Sequence, residues 1–138
     1  MLNKSLAKPQ KIIRNEPLIL VVEDNEDNLL YSTSILELSN YKFLQASDGK
    51  IGLDIAMDKL PDLILLDIVM PKISGIEVIQ VLKRNPLTNH IYIIAVTGLV
   101  FDAQIKIIVD AGCDDYLLKP FAIEQLEDKL DLFLKKSQ

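Results

Sequence analysis

Five residues of this 138-residue chain stand where they could do chemistry together: Glu23, Asp24, Asp67, Thr97 and Lys119. Each closes or directly follows a short apolar run. Glu23-Asp24 ends Leu18–Val22, Asp67 ends Leu63–Leu66, Thr97 ends Ile91–Val96, and Lys119 ends Tyr116–Leu118. Three carboxylates held close together repel one another and raise their own pKa values. A divalent cation relieves that repulsion. Oxygen ligands with no nearby His or Cys favour Mg²⁺, or Mn²⁺, over zinc. Lys119 adds a fixed positive charge and Thr97 a hydroxyl donor. A carboxylate nucleophile, a metal, a cation and a hydroxyl together suit in-line phosphoryl transfer, whose catalysis is mostly positioning and charge stabilisation. Singly, each residue has a plainer reading: Asp24 as a helix cap, Thr97 as a turn residue, Lys119 as a solvated lysine. Their recurrence on successive strand ends is what points to a site.

The elements that must position them follow from the apolar pattern. Besides those four runs, Tyr41–Ala46 reads as a strand. The runs at 18–22, 63–66 and 91–96 are almost continuously apolar, as parallel strands covered on both faces are. Amphipathic stretches lie between. Leu29, Thr33 and Leu36 share a stripe within Asn25–Leu38, and Ile51, Leu53 and Ile55 do so within Lys50–Lys59. Ile76, Ile79 and Leu82 repeat through Gly75–Arg84. Phe101, Ile105, Ile108 and Val109 mark a fourth helix, and Ile123, Leu126, Leu130 and Phe133 a fifth. Ser47-Asp48-Gly49 and Ser74-Gly75 supply start and turn signals. The expectation is a doubly wound α/β domain, (βα)₅, with a five-stranded parallel sheet and right-handed crossovers. Residues 1–16 read as an N-terminal extension with Lys4, Lys8, Lys11 and Arg14, and residues 17–136 as the domain.

Composition narrows the function. A formal net charge of -5 argues against nucleic acid as a direct ligand. No apolar run reaches the roughly 18–20 residues that span a bilayer. The first 16 residues lack the pattern of a secretory signal. One cysteine, Cys113, allows no internal disulfide. These features fit a cytoplasmic protein. Cys113 reads as a small packed residue, and His90 as a surface loop residue.

The strand-end segments closely resemble the receiver domains of two-component response regulators, of the chemotaxis-regulator type. Val21-Val22-Glu23-Asp24-Asn25 resembles the acidic-pair motif. Leu65-Leu66-Asp67-Ile68-Val69-Met70-Pro71, with Gly75 eight residues after Asp67, resembles the phosphoacceptor loop. Ala95-Val96-Thr97-Gly98 and Asp115-Tyr116-Leu117-Leu118-Lys119-Pro120-Phe121 resemble the switch-threonine and lysine–proline segments. The match runs from Pro17 to about Leu134. The resemblance implies the flavodoxin-like strand order 2-1-3-4-5. It also implies roles: Asp67 as phosphoacceptor, Asp24 as a direct metal ligand, Glu23 holding metal water, and the Val69 backbone carbonyl completing the ligands. Thr97 and Lys119 would bind phosphoryl oxygens. Tyr116 would be a switch aromatic that turns inward with Thr97, and Lys119–Pro120 a cis peptide.

Two positions depart from common family usage. Gly98 follows Thr97 where a small side chain is frequent, which leaves the pocket open. Val69 and Leu99 are both apolar where family members flank the path of attacking water, so slow hydrolysis of the phosphoryl group is expected. Implied partners are a histidine kinase or histidine phosphotransfer protein, docking near Asn25–Asn28 and Pro120–Phe121, and a downstream protein reading Phe101, Ile105, Tyr116 and the fifth helix. The expected role is a single-domain phosphorelay regulator rather than an enzyme. A phosphatase of the haloacid-dehalogenase type would need a second Asp where Val69 stands. A nucleotide or flavin domain would need a Gly-rich or hydroxyl-rich loop where Glu23-Asp24 stands. A receiver no longer able to take phosphate would have lost one of the five residues.

Overall fold

A computed structural model describes residues 14–98 and 101–134. Strands β1 (Leu18–Val22), β2 (Lys42–Ala46), β3 (Leu63–Asp67), β4 (Tyr92–Thr97) and β5 (Asp115–Leu118) alternate with helices α1 (Glu26–Leu38), α2 (Gly49–Lys59), α3 (Gly75–Arg84), α4 (Asp102–Ala111) and α5 (Ile123–Leu134). All pairings are parallel, in the order β2-β1-β3-β4-β5. This is the expected (βα)₅ architecture. The central strands β1, β3 and β4 are buried nearly throughout, because helices cover both faces. Ile64, Leu66, Ile93 and Ala95 face a core closed by Ala56 of α2, Val78, Ile79 and Leu82 of α3, and Ile108 of α4. Leu63, Leu65, Ile94 and Val96 face the opposite core, closed by Ile35 and Leu36 of α1 and Leu126 and Leu130 of α5.

The helices start where the sequence signals them. Asn25 caps α1 by accepting the Asn28 N–H at 2.9 Å, and Asp48 caps α2 by accepting from Ile51 at 2.8 Å. Ser74 and Glu77 form a reciprocal capping box on α3. Gly112 ends α4 in the left-handed region at φ 116°, which a residue without Cβ adopts without strain.

Two helices sit differently from their apolar pattern. α2 buries Gly49, Gly52 and Ala56, whereas Ile51 is exposed. A Cβ on Gly52 would lie 2.9 Å from a Val22 methyl, so the helix approaches β1 through small residues. α4 buries only Ile108. Phe101 is its N-cap residue and is 70% exposed, and Ile107 and Val109 face solvent. His90 is half-buried rather than on the surface. Its loop is drawn inward by Thr88, whose hydroxyl donates to the Leu82 carbonyl at 2.7 Å, and by the buried Ile91. Cys113 packs against the α2–α4 core, and burial, helped by Asp114 and Asp115, pushes its thiol up to about 11. The lead-in is tied to the domain from Arg14 onward, through an ion pair to Asp62 at 3.2 Å; residues 1–13 lie outside the described chain.

Candidate functional site

Adjacent strands β1 and β3 deliver their last residues to one edge of the sheet. Glu23 follows β1, and its N–H donates to the Ala46 carbonyl at 3.0 Å, extending the ladder with β2 by one step. Asp67 is the final residue of β3, in register with Val96. The Ile68 N–H then closes onto the Val96 carbonyl at 3.1 Å. One carboxylate oxygen each from Glu23, Asp24 and Asp67 lies within 4.8 Å of the others. Asp24 is open to solvent, while Glu23 and Asp67 are buried at 5% exposure each.

Lys119 reaches the same place from the end of β5. Its Nζ lies 3.1 Å from Glu23 Oε1 and 3.4 Å from Asp67 Oδ1. Its backbone N–H donates to the Thr97 carbonyl at 2.8 Å, and the Lys119–Pro120 bond is cis. Two main-chain donors orient the carboxylates. The Val69 N–H points at Asp67 Oδ1 from 3.3 Å, and the Asn25 N–H at Glu23 Oε2 from 3.1 Å.

Burial is the main reason the Asp67 carboxyl is pushed up to about 7. The side-chain hydrogen bond to Glu23 and the Glu23 charge push the same way, while Lys119 and the Val69 N–H pull it partly back. The buried carboxylates thus crowd a place where a cation would relieve them. The donor set is all hard oxygen, with no His or Cys among the clustered residues. That chemistry fits a small divalent ion.

A family model for the response regulator receiver domain matches residues 19–131, which contain all five strand-end residues. The polar-differentiation response regulator DivK of Brucella anthropi is 34% identical over 116 residues, covering 84% of this chain and 94% of its own length. This chain belongs to the response regulator receiver family. Among solved structures, the receiver domain of a sensor histidine kinase from Pseudomonas aeruginosa, with a magnesium ion coordinated in its active-site cleft, matches with a TM-score of 0.81. It is 27% identical, and the match covers 87% of this chain and 98% of that one. A Francisella response regulator receiver domain matches with a TM-score of 0.81 at 25% identity, covering 89% of this chain and 100% of that one.

In this receiver the fold gathers Glu23, Asp24, Asp67 and Lys119 into one contact group. Thr97 is fully buried one residue beyond Val96, the register partner of Asp67. Tyr116 stands in register with Ala95 and is half-buried against the α2–α4 core. The Val69 side chain is 62% exposed, and Leu99 lies outside the described residues. A Cβ on Gly98 would meet nothing within 4 Å, so that edge of the site is open.

The Asn25 and Val69 main-chain donors left no mark in the residue pattern, because any residue type supplies an N–H. Gly75 was visible only as a spacing; its physical role is close approach. A Cβ there would come within 2.6 Å of both the Asp67 carbonyl oxygen and the Ile68 Cα, and neither backbone atom can turn aside. The Gly75 N–H also donates to the Ile68 carbonyl at 2.9 Å. Gly75→Ala should therefore push Asp67 out of line. The expected result is roughly tenfold or more slower phosphoryl labelling, the scale of a misplaced reacting group, with a lower Tm. Labelling kinetics and thermal unfolding of the variant check it.

Proposed function

We propose that Asp67 accepts a phosphoryl group from a histidine kinase or histidine phosphotransfer protein, and that the resulting charge at the sheet edge is read by another protein. The observation that carries this reading is the Lys119 ammonium, bridging Glu23 and Asp67 beside the clustered carboxylate oxygens. A carboxylate oxygen of Asp67 attacks phosphorus. The bond from phosphorus to the donor's imidazole nitrogen breaks, and the electron pair leaves with that nitrogen. Lys119 and the Thr97 hydroxyl then hold phosphoryl oxygens, and Tyr116 moves with Thr97. Glu23, Asp24, Asp67 and the Val69 carbonyl would hold Mg²⁺ or Mn²⁺. When bound, that ion neutralises charge on the phosphoryl oxygens and offsets the repulsion among the carboxylates.

Residues 17–136 form the receiver in this reading, and the protein assists its own phosphorylation and dephosphorylation without being a turnover enzyme. The kinase side docks by Asn25–Asn28 and Pro120–Phe121. The exposed Phe101 at the N-cap of α4 supports a downstream partner on the α4–β5–α5 face. Among the described residues no helix is long and apolar enough to cross a membrane, which is in keeping with a cytoplasmic role. Phosphorylation from acetyl phosphate should need a divalent ion, be abolished by a chelator, and be strongly slowed in Asp24→Asn. Labelling that ignores the chelator would sink the metal assignment.

The Val69 side chain reaches solvent but has no group that could orient water. The aspartyl phosphate should therefore persist for minutes or longer after donor removal, and Val69→Asn should shorten its life. Decay within seconds, followed by intact mass, would contradict this.

A further inference from the structure

One contact joins the two halves of the acidic edge from outside the strand-end motifs. Tyr31 lies on the second turn of α1, and its hydroxyl donates to the Phe121 carbonyl at 2.8 Å. The two rings stand 5.4 Å apart, tilted by 57°. Phe121 is buried in the α1–α5 core, whereas Tyr31 is 43% exposed. Phe121 comes two residues after Lys119, whose own N–H is held by the Thr97 carbonyl. The short segment carrying the ammonium is thus tied to β4 at one end and to α1 at the other. Helix α1 in turn begins just beyond Glu23-Asp24. Tyr31 and Phe121 also line a cavity of about 580 Å³ that opens onto Glu23, Asp67 and Lys119. The Phe121 ring is anchored in the α1–α5 core, and the phenol bond fixes its carbonyl, the end of the segment that faces this cavity.

We propose that Tyr31 is a positioning residue, which sets the Lys119 ammonium beside Asp67 by holding the Phe121 carbonyl. This rests on the reading of Asp67 as the phosphoacceptor. Tyr31→Phe keeps the ring contact and removes only the hydroxyl. At saturating Mg²⁺ it should slow labelling from acetyl phosphate by roughly fivefold, the scale of one lost hydrogen bond, with the Mg²⁺ requirement unchanged. In a Lys119→Ala background the same substitution should add no further loss, because the group it positions is gone. An unchanged rate in the single variant, or an equal loss in both backgrounds, overturns the proposal.

Beryllofluoride binding in the presence of Mg²⁺ reads the placement of Lys119 without any phosphoryl donor. Weaker binding by Tyr31→Phe supports the proposal, and unchanged affinity overturns it. A wild-type protein that binds beryllofluoride but is never labelled would instead sink the phosphoacceptor reading, with Tyr31 judged by the affinities alone.

Discussion

Lys119→Ala should slow phosphorylation of Asp67 by roughly 10²- to 10³-fold, the range lost when one preorganised charge-stabilising donor is removed. The ammonium lies 3.1 Å and 3.4 Å from two carboxylates, and its segment is tied by the Lys119 N–H to the Thr97 carbonyl and by the Phe121 carbonyl to the Tyr31 hydroxyl, so it is in place before a donor arrives. In the transition state, negative charge spreads over the phosphoryl oxygens, and a fixed cation meets it with no reorganisation. Removing Lys119 also removes a positive charge from beside the carboxylates. Mg²⁺ affinity should therefore hold or rise while the rate collapses. That split separates a lost charge stabiliser from a damaged metal site. Rates measured across a Mg²⁺ titration decide it, and a rate within threefold of wild type would remove Lys119 from the mechanism.

Asp67→Asn should make the metal-free protein more stable at pH 8, by about 5–10 °C in Tm. The sign follows from the pKa shift. The folded protein holds the Asp67 proton up to about pH 7, and the unfolded chain releases it near the ordinary value of 3.8. Between these values the folded state binds more protons than the unfolded one, so wild-type stability falls as pH rises through that window and stays low above it. Asparagine is neutral throughout and keeps a donor for Glu23. The gain should shrink as pH falls from about 7 towards 3.8 and vanish below that, where the wild-type carboxyl is protonated in both states. Mg²⁺ should raise the wild-type Tm more at pH 8 than at pH 5, since at pH 5 it must displace the proton that Asp67 holds. Thermal unfolding of both proteins across pH checks the two statements together. Equal Tm values at pH 8 would mean that the buried carboxylate is not destabilising.

The architecture was legible because three central strands are buried on both faces and so read as unbroken apolar runs. The edge strands were harder. β2 mixes exposed and half-buried residues, and its first paired residue is Lys42 rather than Tyr41. The acidic cluster was legible because parallel strands place successive strand ends at one edge, so chain position alone brings Glu23, Asp24, Asp67 and Lys119 together. Apolar spacing failed where backbones approach closely. In α2 the buried face is Gly49, Gly52 and Ala56, which carry almost no apolar signal, while the conspicuous Ile51 faces out. In α4 the apolar residues outnumber the places available in the core, and the surplus stays on the surface. The Tyr31–Phe121 tie could not be read at all. It depends on two elements 90 residues apart meeting, and on a main-chain carbonyl that no residue type announces.

Intact-mass measurement after incubation with acetyl phosphate, with and without Mg²⁺, tests the central claim most directly. Wild-type protein should gain one phosphoryl mass only when Mg²⁺ is present, and Asp67→Asn should gain none under either condition. Equal labelling of the Asn variant, or wild-type labelling that does not depend on the ion, would contradict the assignment of Asp67 as the acceptor in a metal-assisted site.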